Sequence, residues 1–160
     1  MTQYTLISDK SDHAMCFMTI LSTSSDDDLS LTNSDLVQFI RNPDIPEEKY
    51  LQFKNKWFLA SDVGCSCHFR HLSGGSIELG FGEPEAWFHE ENNAIEASRQ
   101  IAACIRALIQ QGASVDCVDA WAHGHGEAAQ IDDIEVNLSE VSDIAFRFFE
   151  NYRFSFIQKP

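Results

Sequence analysis

The sequence predicts an α+β fold. The expectation is a two-layer sandwich, with a mixed, mostly antiparallel sheet of about five to seven strands and one long and one or two shorter helices on one face. Three observations carry it: one long amphipathic stripe after residue 93, several short apolar runs with strand-like composition, and glycine-rich turns between some of them. Neither an internal repeat nor a low-complexity linker divides the chain, so one globular domain over residues 1–160 is expected.

Taken in order, AMCFMTILS from Ala14 to Ser22 is short, apolar and partly β-branched, which suits a buried strand. SDLVQFIR, from Ser34 to Arg41, has Ser34 as an N-cap and Asn42-Pro43 as a stop, which predicts a short helix. Three strands in a meander are expected next, over 57–61, 65–72 and 76–81, with Ser73-Gly74-Gly75-Ser76 as the hairpin turn between the last two.

The stripe of Ala94, Ile95, Ala97, Ile101, Ala102, Ile105, Leu108 and Ile109 recurs at three- and four-residue spacing and predicts a helix over 93–111. Asn93 with Glu96 resembles a capping box, and Gly112 sits where a glycine ends a helix. SVDCVDAW follows as a strand, so strand, helix, glycine loop and strand suggest a βαβ-like unit with parallel pairing. Alternation predicts strands at 134–138 and 153–157, and Ser139 or Ser142 caps a helix between them carrying Ile144, Ala145, Phe148 and Phe149.

Composition narrows the function. With 25 Asp and Glu against 11 Lys and Arg, the formal charge is −14, which opposes nucleic-acid binding because phosphate contact draws on clustered cations. No apolar run approaches the roughly 20 residues that a membrane helix needs, so no membrane association is expected. The start MTQYTLISDKSDH lacks a basic region followed by an apolar one. A cytoplasmic protein with its five cysteines reduced is the resulting expectation.

VGCSCHFRH, residues 63–71, concentrates two cysteines and two histidines. Read with period two, it places Cys65, Cys67 and Phe69 on an inner face and Ser66, His68 and Arg70 on an outer one, so the cysteines are expected to pack. In an extended strand Cys65 and His71 would lie about 20 Å apart, too far to share one zinc. A disulfide between Cys65 and Cys67 would be strained.

Metal chemistry has a better pattern in His123-Gly124-His125-Gly126-Glu127, where His123 and His125 can chelate from one face of a strand and Glu127 can complete the set, with His68 as a candidate from a neighbouring strand. No cofactor is expected on the leading reading, and zinc is the ion this alternative set would take. The competing expectation is a plain glycine loop. Asp116 and Asp119 flank Cys117, but an exposed strand edge is the ordinary place for such a pair. No G-x-S-x-G turn is present, and Gly80-Phe81-Gly82 lacks the rest of a phosphate loop.

The segment from Glu83 to Glu91 combines rings with carboxylates: Glu83, Glu85, Trp87, Phe88, Glu90 and Glu91. An exposed ring among acids suits docking on a basic protein partner. Against that stands the expectation that Trp87 and Phe88 fold back as a staple on the long helix. The leading expectation is therefore a non-catalytic acidic binding protein of inhibitor or immunity type. The alternative is a metal-binding protein or metal-dependent hydrolase using His123, His125, Glu127 and His68.

Overall fold

A computed structural model describes residues 16–121 and 127–159. Its main sheet has six strands: β1 (Phe17–Thr23), β2 (Gln38–Arg41), β3 (Asn55–Ala60), β5 (Val115–Trp121), β6 (Asp132–Asn137) and β8 (Tyr152–Ile157). Their order across the sheet is β2-β3-β1-β5-β8-β6. Every neighbouring pair is antiparallel except β6 with β8, which run parallel at one edge. A second sheet of two strands pairs β4 (His71–Leu72) with β7 (Phe148–Phe149) in parallel. The one long helix among the described residues, α1 (Asn92–Gln110), completes an α+β arrangement with one helix layer.

The helix buries Ala94, Ala97, Ser98, Ile101, Ala102, Ile105 and Leu108. It packs with Leu21, Val115, Cys117, Phe154 and Phe156 on one sheet face in a core rich in phenylalanine rings. Residues of opposite parity on the same strands, Ile20, Val118 and Ala120, form a smaller cluster with Leu51 on the other face. Helix termination follows the sequence signal. Gly112 takes φ +92°, its N–H donates to the Ile109 carbonyl, and the Ala113 N–H donates to that of Leu108. This six-to-one and five-to-two pattern satisfies carbonyls the helix leaves open. The start differs, because Glu91 occupies the N-cap without a side-chain bond and no capping box forms.

Four expectations are overturned. Residues 38–41 form the edge strand β2 rather than part of a helix. Ser34 and Asn33 still cap, but they close a turn: Ser34 Oγ accepts from the Leu36 and Val37 N–H groups, and Asn33 Oδ1 from that of Phe39. Four residues alternating around buried Phe39 gain more from pairing with β3 than from one helical turn. Residues 65–72 are extended only at His71–Leu72, and 74–79 form a 3₁₀ turn, so no meander exists. Gly80 at φ +64° turns the chain inside the expected 76–81 strand, and residues 65–69 turn where the expected 65–72 strand would run straight. Between 139 and 149 only Asp143–Ala145 is helical, again 3₁₀, before β7. The βαβ unit is also absent, since β4 lies outside the main sheet and both neighbours of β5 are antiparallel to it.

Candidate functional site

The excursion from Ser61 to Glu91, between β3 and α1, carries most of the unusual chemistry. Its hub is Arg70, 2% exposed. Arg70 Nε and Nη2 donate to the two oxygens of Glu90 at 2.8 and 2.7 Å. The remaining guanidinium protons go to the carbonyls of Gly82 at 2.8 Å, Ile144 at 2.5 Å and Phe146 at 3.4 Å, while its backbone N–H donates to Ser98 Oγ on α1. Arg147 adds a second cation on Glu90 at 3.2 Å and lies over the Phe88 ring. Burial alone would raise the Glu90 carboxyl, but the hydrogen bonds and charges of Arg70 and Arg147 outweigh it and hold it below its ordinary value. Period-two reading put Arg70 and Ser66 outward. Both are buried: a bidentate carboxylate twenty residues on compensates the Arg70 guanidinium, and the Thr19 N–H and Leu59 carbonyl satisfy the Ser66 hydroxyl.

The acid–aromatic segment consequently divides. Glu90 is internal, its side chain only 7% exposed, and Phe88 is half-buried beneath Arg147. Glu83, Glu85 and Glu91 are exposed. Trp87 is 67% exposed, so it is no staple for the helix. Its ring is held by Glu85, whose carboxylate accepts the indole N–H, and by an edge contact with Phe88 at 5.7 Å. The Phe88 N–H donates to the Glu85 carbonyl, closing the turn that presents the indole.

A buried histidine–carboxylate pair is a second feature. His71 Nδ1 lies 2.8 Å from Asp119 and Nε2 lies 2.5 Å from the Ser66 carbonyl, with the ring stacked on Phe17 at 3.8 Å. The partners are a carboxylate and a backbone carbonyl, so both ring nitrogens face acceptors inside the protein. Asp119 also accepts from Thr19 Oγ1. Asp116, three residues earlier on β5, faces the opposite side of the sheet, where it receives Arg153 Nε and Nη2 at 3.0 and 2.7 Å, the Gln52 N–H and the Ser22 hydroxyl. Both aspartates are fully buried rather than exposed on an edge, and they do not form a pair.

The thiols make the third feature. Sulfurs of Cys16, Cys65 and Cys67 all lie within 4.8 Å of one another, each residue half-buried. Ser66 builds this corner. Its Oγ accepts the Thr19 N–H at 2.8 Å and donates to the Leu59 carbonyl at 2.6 Å, while its own N–H donates to the Phe17 carbonyl. Ser61 grips the Cys65 carbonyl through both its N–H and its hydroxyl. Burial, then Cys65, pushes the Cys67 thiol up to about 12, against the opposing influence of the Phe17 N–H that donates to its sulfur. Burial likewise pushes Cys104 up to about 11 and Cys117 well above its ordinary value. These three thiols are protonated at neutral pH, which makes them poor nucleophiles.

Of the expected histidine set, His123 and His125 lie outside the described residues, and Glu127 is exposed. The His68 side chain is 45% exposed and its Nδ1 lies 2.7 Å from Asp62. A groove of about 540 Å³ runs between α1 and the turn at Leu29–Thr32, lined partly by Leu31, Ala103, Cys104 and Ala107. Among the described residues no helix is long and apolar enough to cross a membrane. Comparisons with family models, curated proteins and solved structures find no match.

Proposed function

We propose that the protein is a non-catalytic acidic binding protein that docks on a basic protein surface, in the manner of an inhibitor or immunity-type protein. The observation that carries this reading is Trp87, a large ring 67% exposed and held in place by Glu85, with Glu83 and Glu91 exposed on the same segment. A fixed aromatic loses little rotamer freedom on docking, and carboxylates around it favour a cationic partner. The net charge of −14 accelerates encounter with such a partner at low salt. A cytoplasmic location belongs to the same reading.

Parallel affinity captures from source-cell lysate with wild type and Trp87→Ala test it. The expected result is a basic protein retained by wild type at low salt, lost as salt rises, and weakened at least about 30-fold by the substitution, a hot-spot effect of ~2 kcal/mol. Retention of the same proteins by both forms would defeat the reading. The alternative, a metal-binding protein or metal-dependent hydrolase using His123, His125 and Glu127, instead requires stoichiometric metal that His125→Ala releases.

A further inference from the structure

We propose that Cys16, Cys65 and Cys67 form a site for one thiophilic metal ion, zinc being the reference case, bound through three sulfurs.

The geometry supports this in three ways. First, the ligands are the right kind at nearly the right separation. Sulfurs bonded to one tetrahedral zinc at about 2.3 Å lie about 3.8 Å apart. The three here are within 4.8 Å of one another, so small side-chain adjustments bring them onto one ion. Second, the site is preorganised by the fold. Cys65 and Cys67 flank Ser66, whose side chain is fully buried and bonded to both β1 and β3, and Cys16 directly precedes β1. Two segments distant in the chain are thereby locked together through Phe17, Thr19 and Leu59. Third, one outer contact that favours a thiolate is already in place, and a metal ion would supply the charge that burial alone denies the sulfurs. The Phe17 N–H already donates to the Cys67 sulfur, the sort of outer contact that orients a ligand and relieves its charge. Each of the three residues keeps some solvent access, which gives an ion a route in.

The spacing that argued against zinc in the sequence assumed a straight strand and a ligand set confined to residues 65–71. Neither assumption holds, since residues 65–69 turn instead of running extended and the third sulfur comes from residue 16. Soft sulfur donors select zinc or cuprous copper over magnesium or calcium. As each sulfur bonds, its proton passes to solvent, and three thiolates around a divalent ion leave a net charge of −1. The fourth position of a tetrahedral ion falls to water or to an outside ligand, an arrangement open to exchange.

Cobalt(II) is the first probe, because thiolate ligation gives an intense near-ultraviolet charge-transfer band. One cobalt per chain with that band, displaced by zinc, is the expected result. Zinc-loaded and metal-free wild type are then alkylated in parallel and the modified cysteines identified by mass spectrometry. Zinc should protect Cys16, Cys65 and Cys67 while leaving the labelling of Cys104 and Cys117 unchanged. Cys67→Ser should weaken zinc by more than about 100-fold, beyond what outer-shell changes cost. The His123→Ala/His125→Ala double variant should keep the charge-transfer band. Equal labelling with and without zinc overturns the proposal even if Cys67→Ser fails to fold. So does a band that survives Cys67→Ser but vanishes in the double histidine variant.

Discussion

In the six-stranded sheet the backbone supplies its own hydrogen bonds, and side chains of alternating parity divide between two apolar clusters. From Ser61 to Glu91 the chain forms only two residues of strand and one 3₁₀ turn, and side chains bond the backbone instead. Ser61 and Ser66 hold the thiol corner, and Arg70 gathers the carbonyls of Gly82 and Ile144 around its pair with Glu90. A region of the first kind depends on many small, interchangeable contributions, and one of the second kind depends on a few particular residues. Both sets of candidate functional groups, the thiols and the acid–aromatic turn, lie on or against the second region.

The largest test of that contrast is Arg70→Ala. It leaves Glu90 with only Arg147 and strips three carbonyls of a donor, a change expected to cost about 3–5 kcal/mol. Urea unfolding measures the cost, and amide exchange should show residues 61–91 opening well before β1 and β5. Uniform loss of protection would mean that the two regions form one cooperative unit. Next in size is Ser66→Ala at the seam, where the Thr19 N–H and the Leu59 carbonyl both lose a partner. About 1–3 kcal/mol is expected, since buried groups left without hydrogen bonds keep their desolvation penalty.

The smallest effect is a pH slope. Glu90 is held below its ordinary value of 4.5, so its contribution is complete above that value and is lost as pH falls through the lower folded value. Glu90→Gln removes this component. Melting temperature should therefore fall less steeply below about pH 4.5 in the variant than in wild type. Identical slopes would show that the Arg70–Glu90 pair does not couple to folding.

The same contrast explains what could be foreseen. The stripe from Ala94 to Leu108 and the alternation in 115–121 and 153–157 are local signals, and the elements formed where they stood. Residues 34–41 and 65–81 misled because their outcome depends on distant partners. Phe39 finds β3, and Arg70 finds a carboxylate that nothing in VGCSCHFRH announces. The glycines at 64, 74, 75, 80 and 82 were the available warning, more than any straight strand pair tolerates. Within the acid–aromatic segment, exposure of Trp87 was legible as an option, whereas the internal role of Glu90 was not. The thiol cluster needed Cys16, 49 positions before Cys65, and no spacing rule within either segment pairs them.

One edge of the sheet bears on how the protein behaves in concentrated solution. β6 ends the sheet and presents Asp132, Asp133 and Glu135 at exposed positions. An unpaired strand edge is a template on which another copy of the chain can add strands. Here any such addition would bring like carboxylates together along the new seam, in a molecule already carrying a charge of −14. The last strand of the sheet thus carries, in its own side chains, a charge repulsion that opposes edge-to-edge growth.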